Sequence, residues 1–363
     1  MASTKHTSPV FKQNVPDDSY KFKPLPAPTG NYPYHLNLST IVTDTDPNKL
    51  VFQMVGDTGG NRNPGGQLMV ATAMADQYTT EPADQPKFLY HLGDIVYHYG
   101  EAEHYNQQFF TPFKNHPGPI FAIAGNHDSD INPDSPVPYQ SLDAFTTVFC
   151  DTEQRYIPFD TEKSRKSMVQ PNIFWTLESP LVSIIGLHSN VPKFGVVTAE
   201  QRAWFVEELI RINANRPGKA LIVCIHHAPY SADTNHGSSR QMIHFLEDVF
   251  KETNIKPDAV FSGHVHNYQR FTKTYADGIC VPYIVAGAGG FDELHDLALT
   301  NDPRFTADDV LFDGVKLDAY FEHKHGFLKL TIKKTPQGVT LSGDYYIVYD
   351  NMVSIADSFC KHI

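Results

Sequence analysis

The 363-residue sequence is poor in cysteine, poor in tryptophan and short of positive charge. Its four cysteines, Cys150, Cys224, Cys280 and Cys360, lie far apart and form no CxxC pair, which argues against a structural zinc site or a dense disulfide framework. Cys224 falls in the apolar run ALIVCIHH and reads as a buried, reduced thiol. With 29 Lys+Arg against 41 Asp+Glu, the formal net charge is −12. Sequence-independent nucleic-acid binding needs a basic face to displace counterions, so it is not expected. No stretch of about 18 consecutive apolar residues exists, so no transmembrane helix is expected. The opening MASTKHTSPVFKQNVPDDSYKFK lacks the apolar centre of a secretory signal. The chain as given therefore reads as cytoplasmic, with secretion open if a leader has been removed. A dinucleotide fingerprint is missing too: the glycines of GDTGG do not form GxGxxG, and Asp57 would repel a pyrophosphate unless metal intervened.

What the sequence does have is histidine, 18 in all, and a hydrophobic fraction of 41%, enough for a sizeable core. Histidine is the commonest metal ligand and titrates near neutral pH, so its placement matters more than its number.

Residues 1–48 are rich in Pro, Asp, Thr and Lys. KPLPAPTGNYPYHL reads as an extended, proline-stiffened arm packed along the surface. A single domain is expected over 49–350, with a turn-rich inserted loop region at 129–171 and a C-terminal tail at 351–363. From Leu50, short apolar runs recur: LVFQMVGD, KFLYHLGD, PIFAIAGNHD, ALIVCIHH and DAVFSGHVH. Such runs suit strands buried on both faces. Helices are predicted over GQLMVATAMADQYTTE, AEHYNQQFFTPFK, TAEQRAWFVEELIRINAN and SSRQMIHFLEDVFKET. Thr198 is a plausible N-cap, with Gln201 completing a capping box. NIFWTLES with LVSIIGLHS, and FLKLTIKK with GVTLSGDYYIVYD, read as hairpins completing a second sheet. Alternating strands and helices give an α/β layered fold.

Five apolar runs end in metal-competent residues: Asp57, Asp94, Asn126 with His127, His226 with His227, and His264 with His266. One Asp after a strand is usually a turn former. Five such endings at one topological edge would crowd carboxylates and imidazoles together, which cations tolerate best. The ordered series GDTG (56–59), GDIVY (93–97), GNHD (125–128), VCIH (223–226) and GHVH (263–266) resembles the calcineurin-like metallophosphoesterases. The tyrosine of the second block, with GAGG (287–290) and HGFLKLTI (325–332), is similar to the purple acid phosphatase branch. The arm and the 129–171 insert lie outside the resemblance.

The resemblance implies a four-layer α/β/β/α sandwich, two mixed sheets flanked by helices. It also implies two metal ions bridged by Asp94. Iron would take Asp57, Tyr97 and His266 as well; a divalent ion (Fe, Zn or Mn) would take Asn126, His226 and His264. The donor chemistry agrees, because a phenolate oxygen at Tyr97 favours a trivalent ion. The bland alternative for Tyr97 is a packed aromatic, and His98 and Tyr99 beside it blur the register. His226 and His227 compete for one place; the VxxH spacing from Val223 favours His226, leaving His227 a hydrogen bond behind it. His127 and His236 resemble the histidines that contact phosphate and assist the leaving group; a solvated loop histidine is the alternative for His236. Asp128 orients His127 or caps a helix, Asn190 lines the pocket or makes a turn, and His91 reads as structural. The implied activity is phosphate-ester hydrolysis by in-line attack of metal-activated hydroxide, on small-molecule monoesters. The alternatives are a phosphodiesterase acting on nucleotide or lipid-type diesters, and a non-enzymatic adapter keeping the fold. The 129–171 insert and the loop 228–240 are expected to wall the site. Neither nucleic acid nor membrane is an expected partner.

Overall fold

The computed structural model describes residues 4–350 and 352–363. The arm supplies β1 (His35–Asn37), and the chain continues through β2 (Lys49–Val55), α1 (Gly65–Thr80), β3 (Leu89–His91) and β4 (Ile120–Ala122). Then come α2 (Asp143–Phe149), β5 (Trp175–Glu178), β6 (Val182–Leu187), α3 (Ala199–Asn213) and β7 (Ala220–Ile225). After α4 (Arg240–Thr253) follow β8 (Ala259–Ser262), β9 (Tyr268–Thr274), β10 (Cys280–Ala286) and β11 (Val315–Phe321). The last three strands are β12 (His325–Thr335), β13 (Gly338–Tyr349) and β14 (Met352–His362).

Two mixed sheets result. One has six strands in the order β14-β13-β12-β2-β3-β4, the other eight in the order β11-β9-β10-β8-β7-β6-β5-β1. They pack face to face through aromatic rings. Trp175 meets Tyr90 at 6.0 Å and Phe121 at 5.8 Å, and Tyr268 stacks on Tyr345 at 3.8 Å. Helix α1 lies against β12 and β13, and α3 against β6, so helices cover both outer faces. This is the α/β layering expected. No helix among the described residues is long and apolar enough to cross a membrane.

Strands β2, β3 and β4 run parallel as neighbours in one sheet, and β7 and β8 in the other. Their carboxyl ends therefore open on one rim, and all five metal-competent endings sit there. The rim is tied across the sheets, since Gly56 N–H donates to Ala286 O at 2.9 Å.

Several expectations are corrected. The two hairpins form, but β5–β6 belongs to the eight-stranded sheet and β12–β13 to the six-stranded one. Residues 352–362 are an edge strand paired with β13 rather than a tail. The stretch 102–113 is no continuous helix; it breaks into a 3-10 turn, a π turn over Asn106–Phe110 and one α turn. Pro112 has no N–H to return to the carbonyl of Gln108, which accepts instead from Gln67 Nε2. Only half of the capping box exists. Thr198 Oγ1 accepts from Gln201 N–H at 3.2 Å, while the Gln201 side chain bonds both backbone groups of His188. The insert 129–171 is only partly loop. It contains α2, whose Phe145, Val148 and Phe149 enter the core.

Candidate metal centre

The rim gathers seven donor side chains in two groups. In the first, the Tyr97 hydroxyl lies 3.3 Å from Asp57 Oδ1 and 3.2 Å from His266 Nε2. In the second, Asn126 Oδ1 lies 2.9 Å from His264 Nδ1 and 3.2 Å from His226 Nε2, and Asp94 Oδ2 lies 3.3 Å from the same His226 nitrogen. Asp94, His226 and His264 converge closely enough for one ion. All seven expected residues, Asp57, Asp94, Tyr97, Asn126, His226, His264 and His266, are brought together.

The backbone is bent to do this. Asp57, Asp94 and His264 adopt φ of 57°, 54° and 68°, the left-handed region that L-residues avoid. For His264, the main chain is fixed by its N–H donating to both Asp57 oxygens, at 3.0 and 2.9 Å. Glycines make room. A Cβ on Gly125 would stand 2.1 Å from Asp94 Oδ1, and one on Gly93, at φ +96°, 2.6 Å from His226 Nδ1.

Two ring tautomers are set from outside. His226 Nδ1 lies 2.8 Å from Leu92 O, and His266 Nδ1 3.0 Å from Glu293 O. A carbonyl only accepts, so each Nδ1 carries hydrogen and each Nε2 turns toward the donors. At His226 that nitrogen faces the Asp94 carboxylate, an arrangement stable only with positive charge between them. Without metal a proton serves. Against the burial that would lower it, Asp94 pushes His226 up to about 9. Against its own burial, Asp94 is held below the usual carboxylate range by His226 and His127. Asp57 goes the other way, raised by burial and then by Asp94 despite His226. Burial, then Asp94 and Asp57, push the Tyr97 phenol well above its usual range. Buried carboxylates, a phenol and ring nitrogens pointing inward fit cations.

His127 and His236 flank the group. His127 Nδ1 donates to His98 O at 2.8 Å, leaving Nε2 for the cleft. The His236 ring lies 4.0 Å from His264, and its Nδ1 is buried without a partner. Its main chain is held by Asp233, which accepts from the N–H groups of His236 and Gly237. His227 takes a partner outside the donor set, its Nδ1 bonding Ser189 Oγ at 2.7 Å, while its ring packs on His264 at 4.2 Å. His91 bonds Thr58 Oγ1 at 2.9 Å, a structural contact. Asp128 does not orient His127. Its carboxylate accepts from Ile95, Val96 and Gly125 N–H, tying two motif loops together. Asn190 makes a turn at φ 59° and grips Lys23, accepting from its N–H at 2.8 Å and donating to its carbonyl at 2.9 Å.

Other residues carry no sequence signal for their task. Gln108 Oε1 accepts from Tyr97 N–H at 2.8 Å and Nε2 donates to Tyr97 O at 2.9 Å, fixing the phenol-bearing backbone. Phe291 packs on Tyr97 at 4.0 Å and on His266 at 4.6 Å. His295 stacks on His266 at 4.3 Å and lies 3.1 Å from Asp233 Oδ2. The cleft over the donors measures about 340 Å³. Its outer wall comes mainly from the arm (Asp18, Lys21) and from Val191 and Lys193. Of the expected walls, the insert gives Asp130 and the 228–240 loop gives His236. The later part of the insert is held down near the start of β4, where Arg165 donates to the carbonyls of Phe113, His116 and Gly118.

A family model described as calcineurin-like phosphoesterase matches residues 52–268. Among curated proteins, the Fe(3+)-Zn(2+) purple acid phosphatase 12 of Arabidopsis thaliana is 24% identical over 277 residues, covering 70% of this chain and 54% of the relative. The probable purple acid phosphatase 20 of the same plant is 34% identical over 99 residues, 25% of this chain and 22% of the relative. The chain thus spans about half the length, or less, of these relatives. Among solved structures, the purple acid phosphatase PPD1 of yellow lupin (Lupinus luteus) superposes with a TM-score of 0.58 at 17% identity, over 86% of this chain and 53% of that one. GAP50, described as the anchor in the inner membrane complex of Plasmodium, gives 0.58 at 14% identity, over 87% and 89%. At these identities the structures establish likeness of fold.

Proposed function

The chain belongs to the calcineurin-like phosphoesterase family, and we propose on that premise that it is a two-metal phosphomonoesterase of purple acid phosphatase type. The observation that carries the reading is the convergence of Asp57, Asp94, Tyr97, Asn126, His226, His264 and His266. Asp57, Tyr97 and His266 would hold iron, Asn126, His226 and His264 a divalent ion, and Asp94 would serve both. When bound, the ions supply Lewis-acid stabilisation of phosphoryl oxygens and a water acidic enough to act as nucleophile.

The protein's own residues do the rest. Leu92 O and Glu293 O hold the rings of His226 and His266 in the donor tautomer. His127, fixed through Nδ1, presents Nε2 at the cleft and there gives a proton to the departing alkoxide. His236, on the same wall, contacts the phosphoryl group or shares that transfer. A cleft of about 340 Å³ supports a small ester over a lipid-sized diester.

Elemental analysis with a visible spectrum, followed by turnover of p-nitrophenyl phosphate and its bis ester, tests the reading. Two metals per chain, a charge-transfer band lost in Tyr97→Phe, and preference for the monoester are expected. Faster release from the bis ester would establish the phosphodiesterase instead. Metal-supplemented protein that neither binds metal nor hydrolyses either ester would establish an adapter.

A further inference from the structure

The wall opposite the donors carries a cation that lacks a counter-ion. Asp18, Lys21 and Lys193 face Asn126, His127 and His264 across the cleft. The nearby acids are already engaged. Asp18 lies 3.5 Å from the Lys21 ammonium and accepts the main-chain N–H of Lys193 at 3.1 and 3.2 Å. Asp130 lies 3.6 Å from the Lys23 ammonium, and Asp233 is 3.1 Å from His295. Among the described residues, no carboxylate lies within ion-pair distance of Lys193 Nζ. Burial, followed by the Lys12 ammonium, holds its pKa below the usual lysine range.

Lys193 is nonetheless well placed. Asp18 fixes its own main chain, and Asn190, three residues earlier, grips Lys23 of the arm. Arm and loop therefore form one support beneath the ammonium. A half-buried cation held by its backbone at a pocket wall gains most from an anion brought by a ligand.

We propose that Lys193 forms a second anion subsite facing the phosphoryl site, selecting small phosphomonoesters whose alcohol part carries a carboxylate or a further phosphate. The subsite rests on the two-metal reading for the binding of the phosphoryl end. It is supplied by residues outside the stretch 52–268 that matches the family model on one side, the arm, and by a loop of that stretch on the other.

Calorimetric titration of the metal-loaded full chain with propylphosphonate, 3-phosphonopropionate and propane-1,3-bisphosphonate tests it. The two probes with a second anionic group should bind about tenfold tighter than propylphosphonate, the size of one charge-assisted hydrogen bond. Lys193→Met should bring that ratio near one, and Lys193→Arg should keep most of it. A carboxylate-only or phosphate-only preference identifies which anion the subsite takes. Equal binding of all three probes by the unaltered protein, or an undiminished ratio in Lys193→Met, overturns the subsite. Parallel assay of p-nitrophenyl phosphate separates the two readings: turnover without discrimination overturns the subsite alone, and discrimination without turnover overturns the hydrolase alone. Failure to bind any phosphonate overturns both.

Discussion

Gln108 holds Tyr97 by both of its main-chain groups, accepting from the N–H at 2.8 Å and donating to the carbonyl at 2.9 Å. The phenol is thereby aimed at Asp57 and His266 by an amide eleven residues away, on a π turn. Gln108→Leu strands a buried donor and acceptor, and should lower unfolding free energy by about 2 kcal/mol or more. Urea denaturation of the metal-free protein measures this; an unchanged midpoint would show that the clamp is dispensable.

His226 and His227 are adjacent and both pack against the His264 ring, yet they take different partners, one Asn126 and Asp94, the other Ser189. His226→Ala should lose about one metal equivalent on elemental analysis, following the loss of one donor of a small set. His227→Ala should retain both. Equal losses would mean that the strand, rather than the donor, determines metal retention.

How much of this was legible follows from where each residue sits. Asp57, Asp94, Asn126, His226 and His264 end apolar runs, and a run that ends in a turn fixes its last side chain on the rim whatever the rest of the chain does. The layering was legible for the same reason, since buried strands advertise themselves by composition. Gln108, Phe291 and His295 were not legible, because their tasks depend on contacts between segments 11 to 194 residues apart with no periodic pattern between them. The arm was misjudged by half. Its prolines showed that it was extended, yet extended chain carries no register, so neither β1 nor the position of Lys21 over the cleft could be read. Pro112 could have warned that 102–113 would break.

Away from the rim, Glu208 accepts from His35, Arg211 and Thr176. Although burial would raise it, those donors lower its pKa to about 2. A carboxylate depressed on folding adds stability that is complete above its unfolded value of about 4.3 and is lost as pH falls toward 2. Thermal melts should therefore show stability dropping between about pH 4.5 and 2, with a shallower drop in Glu208→Gln. An identical slope in the variant would assign the acid sensitivity to other groups.

Asn190→Ala removes both bonds to Lys23 and places alanine at φ 59°. Destabilisation of about 1–3 kcal/mol is expected, with faster limited proteolysis in the arm near Lys21 and Lys23. Unchanged cleavage kinetics would mean that Asp18 and β1 suffice to hold the segment.

The outer wall of the cleft begins at Asp18, while the first donor of the rim is Asp57. On the proposed reading, reaction and choice of reactant would draw on different parts of the polypeptide, which meet beside the cleft where Asn190 and Lys193 hold the arm. An arm transplanted from a homologue would rebuild the outer wall around Lys193 while the seven donors keep their places.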